Sequence, residues 1–140
     1  MHRPTLATAA QTYGRMAGRG ADAHSVVLLY DGAIRHIAQA RAAIAEAAVE
    51  RRWQHVARAT AIIDGLQHCL DHARGGEIAS LLDRLYTYVT LRLQDINLRN
   101  DARACDELEG LLQTLRASWA TLAERGAAEP PPPPSGAVAA

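Results

Sequence analysis

The chain reads as an all-α protein, an antiparallel up-down-up-down four-helix bundle with a flexible N-terminal arm and a proline-rich C-terminal tail, and three observations lead there. It is 49% hydrophobic but has no Phe and only 4% aromatic residues, so its core has to be built from Ala, Leu, Ile and Val, the residues of helix-on-helix packing. Apolar residues recur at three-and-four spacing along four successive stretches. The connections are short, and helices of roughly 20 to 26 residues span about 30 to 40 Å, so neighbours have to reverse. The 140 residues suffice for one domain that needs neither a metal nor a disulfide to hold it.

Residues 1–22 hold Pro4, Gly14, Gly18 and Gly20 without a sustained period, and read as a mobile arm with a short helical piece around Thr5 to Tyr13. The bundle is expected over 23–125. Asp22 offers an N-cap oxygen, and the first helix is expected from about Ala23 to Ala48, with Val26, Leu29, Ala33, Ile37, Ala40 and Ile44 as its core stripe. The second begins near Arg51 or Arg52. It carries Trp53, Val56, Thr60, Ile63 and Leu70 beside a parallel stripe of Ala59, Ile62, Leu66, Cys69 and Ala73. Gly75 and Gly76 are expected to end it with a left-handed cap.

The third helix starts at Glu77 and keeps Ile78, Leu82, Leu85, Val89 and Ile96 on one side as far as Asn100. Asn100 or Asp101 caps the fourth, whose Cys105, Leu108, Leu112, Leu115, Trp119 and Leu122 step by 3, 4, 3, 4 and 3, the seam of a bundle. Gly126 closes it. Residues 126–140, with five prolines from Pro130 to Pro134, read as a disordered tail.

Acidic and basic residues balance at 15 each, so no net field draws in nucleic acid or an anionic membrane. All the basic residues are Arg; with no Lys, the Walker-type phosphate lysine, the Schiff-base lysine and the lysine general base are excluded together. The N-terminus carries no apolar run of signal-peptide length and nothing long enough to cross a bilayer, which predicts a cytoplasmic protein without membrane insertion. Cys69 and Cys105 both fall on apolar stripes and are expected to be reduced and buried.

No catalytic constellation is present: no Ser or Cys has an activating His placed by sequence. Asp64, His68 and His72 are spaced by four, as on one face of the second helix, but a fourth ligand is missing, so neither metal nor cofactor is expected. The Glu-x-x-His motif of di-iron bundles does not occur. A histidine phosphotransfer domain using His36 or His55 is the strongest reading from another class, weakened by the absent Lys.

The helices carry more apolar surface than one core needs. Val27, Leu28, Tyr30 and Ile34 widen the arc of the first, and Leu81, Tyr88, Leu91 and Leu98 lie off the stripe of the third. Gly32 sits inside a helix, where close approach of a neighbour is the reason to tolerate it.

Three motifs then stand together: LYDGA at Leu29 to Ala33 with Ile34 and Arg35 following, GGEIA at Gly75 to Ala79 followed by Leu85 to Tyr88, and NLRND at Asn97 to Asp101. Their order and spacing resemble the FliS family of flagellar secretion chaperones, over about Val26 to Leu122. The resemblance implies a cytoplasmic bundle that binds the disordered C-terminal segment of flagellin, blocks premature polymerisation and delivers it to the flagellar export apparatus. It also implies a tyrosine in the arm, matched by Tyr13; the proline tail is extra. On this reading Tyr13, Val27, Tyr30, Ile34, Tyr88, Leu91 and Leu98 supply apolar contact to the partner, while Asp31, Gly32 and Asn97 shape the surface. A general helix-bundle adaptor for another flagellar client is the alternative.

Overall fold

The structure, a computed structural model, describes residues 22–128. The arm, including Tyr13, and the proline tail lie outside the described residues. Four helices follow one another: α1 (Ala23–Ala45), α2 (Val49–His68), α3 (His72–Arg99) and α4 (Ala102–Ala128).

Each boundary has a local cause. Asp22 caps α1, its carboxylate accepting from the His24 amide at 3.3 Å and the Ser25 hydroxyl at 3.4 Å. The helix stops at Ala45 rather than Ala48 because Ala47 takes a left-handed φ of 55°. The Ala48 and Ala47 amides then return to the Ala43 and Ile44 carbonyls at 2.8 and 3.1 Å, the Schellman closure that usually employs glycine. Helix α2 ends at His68, before the glycine pair. Asp71 restarts the chain by accepting from the Arg74 amide at 3.1 Å, and Gly76, at φ 51° and ψ −123°, kinks α3 after its first turn. The glycine does adopt the positive φ expected of it, but inside α3 and not as the end of α2. His72 therefore falls on α3 and does not share a helical face with Asp64 and His68 of α2.

Asn100, left-handed at φ 51°, ends α3, and Asp101 caps α4 by accepting from the Ala104 amide at 3.1 Å. Helix α4 runs through Gly126 to Ala128. Helix α1 packs against α2 and α4, and α3 closes the square against the same two. Asp31 with Arg116, and Arg41 with Asp106 at 3.0 Å, give the antiparallel register of α1 and α4. No helix among the described residues is long and apolar enough to cross a membrane.

One continuous core runs through the bundle. From α4 it takes Cys105, Leu108, Leu112, Leu115 and Trp119, the seam read from the sequence. Helix α1 buries Val26, Ala33, Ile37 and Ala40 of its expected stripe, with Ile44 at the core edge, but Tyr30 is fully enclosed where Leu29 was expected, and Leu29 is 40% exposed. In α2 the buried series is Arg52, Val56, Ala59, Ile63 and Leu66, and Trp53 is exposed. Cys69, expected inside, is exposed because α2 ends before it; Cys105 is buried.

Candidate functional site

The residues singled out for partner contact divide between core and surface. Tyr30 belongs to the core: its hydroxyl meets that of Tyr86 at 2.6 Å, and burial pushes its pKa up to about 12, partly offset by Tyr86 and Trp119. Val27 is buried as well. Both were expected to offer apolar contact at the surface, and both are enclosed by the bundle. Gly32 is also inside; a Cβ there would stand 3.2 Å from Ile62 Cδ1, so the glycine serves close approach of α1 to α2.

Asp31 bridges α1 to α4, accepting from Arg116 Nε and, at 3.4 Å, from its Nη2. Asn97 accepts from Arg52 Nε at 3.4 Å. Both therefore position helices. Ile34 is partly exposed at the edge of the core.

Tyr88, Leu91 and Leu98 stand at the surface of α3, Leu98 at 75% exposure. Leu91 and Leu98 are seven residues apart and so lie on one side of the helix, away from the Leu82, Val89 and Ile96 series that enters the core. Tyr88 lies toward α4, where its hydroxyl donates to Glu107; that carboxylate holds the phenol above the usual tyrosine range. Arg92 ties the same seam together, donating to Glu107 at 3.3 Å and Asp95 at 2.9 Å, with Asp101 at 3.6 Å. Below this network Leu85, Leu81 and Ile78 are partly exposed. A broad open depression of about 860 Å³ is lined there by His72, Gly76, Glu77, Ile78, Ser80, Leu81 and Arg84. Leu28 and Leu29 on α1, and Val49 and Trp53 on α2, are further exposed apolar residues that the sequence reading did not count as contacts.

His36 and His55 face each other across α1 and α2, Nδ1 to Nδ1 at 3.0 Å with ring centroids 5.3 Å apart. Burial first, then His55, Arg35 and Arg58, hold His36 below the ordinary histidine range. Each ring has the other as its hydrogen-bond partner. Among the described residues no three His, Cys, Asp or Glu side chains gather as a metal site would require.

Residues 6–126 match the family model described as flagellar protein FliS. The chain is 39% identical to the flagellar secretion chaperone FliS of Salmonella typhimurium over 112 residues, 79% of this chain and 83% of that one. It is 38% identical to the flagellar secretion chaperone FliSB of Pseudomonas aeruginosa over 100 residues, 71% and 79% of the two chains. A more distant relative, the flagellar secretion chaperone FliS of Bacillus subtilis, is 30% identical over 93 residues, 66% of this chain and 68% of that one.

Proposed function

We infer that this chain, which belongs to the FliS family of flagellar proteins, is a non-enzymatic chaperone that holds the C-terminal segment of flagellin in the cytoplasm until export. The observation that carries the reading is the large apolar surface left uncovered on α3. Tyr88, Leu91 and Leu98 are exposed, and Ile78, Leu81 and Leu85 form a partly open track toward α4. An amphipathic segment laid on such a track gains burial of its own apolar face, and that gain has to exceed the roughly 2 to 5 kcal/mol needed to order it.

The exposed apolar groups on α1 and on α3 lie on different sides of the bundle, as expected for a partner that wraps it as an extended chain. Masking that segment would keep flagellin from polymerising before it leaves the cell. Release needs only a competitor or a pull from the export apparatus, so no chemical step is required.

The test is titration with flagellin, whole and lacking its C-terminal segment. Full-length protein should bind and the truncated one should not. Replacing Leu91 and Leu98 together by Asp should weaken binding at least about tenfold while helical content stays unchanged, because both face solvent. Equal binding of the truncated flagellin would instead support an adaptor for another part of the flagellar machinery.

A further inference from the structure

At the pole where α1 turns into α2 and α3 into α4, a cleft of about 190 Å³ is lined by Ala43, Ile44, Ala47, Ala48, Val49, Arg52 and Asn100. Its walls are methyl and aliphatic groups together with the Asn100 amide, and the one charged side chain lining it is Arg52. Arg52 is only 6% exposed.

Its partners are neutral. Nε donates to Asn97 Oδ1 at 3.4 Å and Nη1 donates to Asn100 Oδ1; among the described residues no carboxylate pairs with it, and Nη2 makes no hydrogen bond. A buried guanidinium without a counter-charge is a costly arrangement, because neutral amides return only part of the hydration energy lost. The backbone adds N–H donors at the same place. Helix α2 starts here at Val49, and its N-cap residue, Ala48, offers no side-chain acceptor to the first-turn amides, so those amides open on the cleft beside the carbonyl ends of α1 and α3. The nearby Glu46 carboxylate is engaged by Arg51. Ala47 is held at φ 55° in the cleft wall, where the Schellman turn would usually have glycine and leave the wall one methyl short.

We propose that this cleft binds a carboxylate carrying a short aliphatic group, the anion paired with Arg52 and the first-turn amides of α2 and the aliphatic part against Ala43, Ile44 and Val49. Guanidinium and carboxylate match as a planar two-point pair. The carboxylate can come from the free end of a polypeptide or from a small organic acid. The site lies on α1, α2 and the α3–α4 connection, apart from the α3 track invoked for flagellin, and does not depend on that reading.

The test uses the full chain and four probes followed by NMR: N-acetyl-L-leucine and isovalerate, with N-acetyl-L-leucinamide and isovaleramide as uncharged controls. The acids should shift the Arg52 Nε signal and the amides of Val49 to Arg51 saturably, and the uncharged controls should bind at least about tenfold more weakly, as loss of a charge-assisted pair implies. Tighter binding of N-acetyl-L-leucine identifies a chain end as the source; equal binding of isovalerate identifies a small acid. Arg52→Gln should abolish the shifts. Because that variant removes a buried group and can lose its fold, Ala48→Asp serves as the second: a tethered carboxylate at the N-cap should raise the melting temperature by about 5 °C and block the acids. Equal binding of acid and amide, or undiminished acid binding by Ala48→Asp, overturns the proposal.

Discussion

Tyr30 of α1 and Tyr86 of α3 meet hydroxyl to hydroxyl at 2.6 Å across the middle of the bundle, both enclosed. Two helices that make few direct contacts with each other are thereby joined through the core. Replacing either tyrosine by Phe should cost about 1 kcal/mol, and the double variant should cost less than the sum of the two. Denaturant titration of the three variants measures that coupling.

The same tyrosine sets an alkaline limit. Its pKa rises from the ordinary 10.0 to about 12 in the fold, chiefly through burial, so the folded state holds the phenolic proton more tightly than the unfolded chain. The stabilisation is complete below about pH 10 and lost as pH climbs through 12. Melting temperature against pH should fall across that window and fall less in Tyr30→Phe.

His36 sets the opposite limit. Its folded pKa lies below the ordinary 6.5, so the folded state favours the neutral ring. The contribution is present above about pH 6.5 and lost as pH drops through the folded value. Between pH 7.5 and pH 5 the wild-type melting temperature should decline, and His36→Gln should flatten the decline.

Two glycines should respond in opposite senses to alanine. Gly76 has φ 51° with ψ −123°, a region closed to side chains, so Gly76→Ala should destabilise by about 1 to 3 kcal/mol. Gly110 lies inside α4 and an added Cβ would meet nothing within 4 Å. Gly110→Ala should stabilise by about 0.5 to 1 kcal/mol. Chemical denaturation of both variants checks the pair.

The thiols should separate by reactivity. Cys69 is exposed; Cys105 is buried and its thiol is pushed up to about 11, first by burial and then by Glu109. A thiol reagent at neutral pH should modify one cysteine in the native protein and the second only on unfolding.

The fold class and the α4 seam were legible because an unbroken 3-4 alternation of apolar residues admits one face only. Most of the α1 and α2 stripes was legible too, through Val26, Ala33, Ile37 and Ala40 and through Val56, Ala59, Ile63 and Leu66, but one turn near the start of each was not. Leu29 and Tyr30 both satisfy the spacing in α1, and the choice falls to Tyr30 because its hydroxyl finds Tyr86, 56 residues away. In α2 the apolar pattern favours Trp53, yet the inward place goes to Arg52, whose acceptors Asn97 and Asn100 come from a later helix end. Hydropathy cannot register a buried charge whose partners are supplied by tertiary structure. The α3 surface residues Tyr88, Leu91 and Leu98 were legible for the complementary reason: they exceed what one stripe can bury. The α2–α3 boundary was displaced because the Asp71 cap acts before the more conspicuous glycines.

An even number of antiparallel rods returns the chain to its starting side. The pairing of Asp31 with Arg116 and of Arg41 with Asp106 sets Ala23 beside the last turns of α4, while Arg52 sits at the other extremity, about 35 Å along a helix of 23 residues. A dye or affinity handle joined next to Ala23 or Ala128 is attached at the far extremity from the arginine cleft. Immobilising the protein through either attachment point therefore orients that cleft outward, toward whatever is passed over the surface.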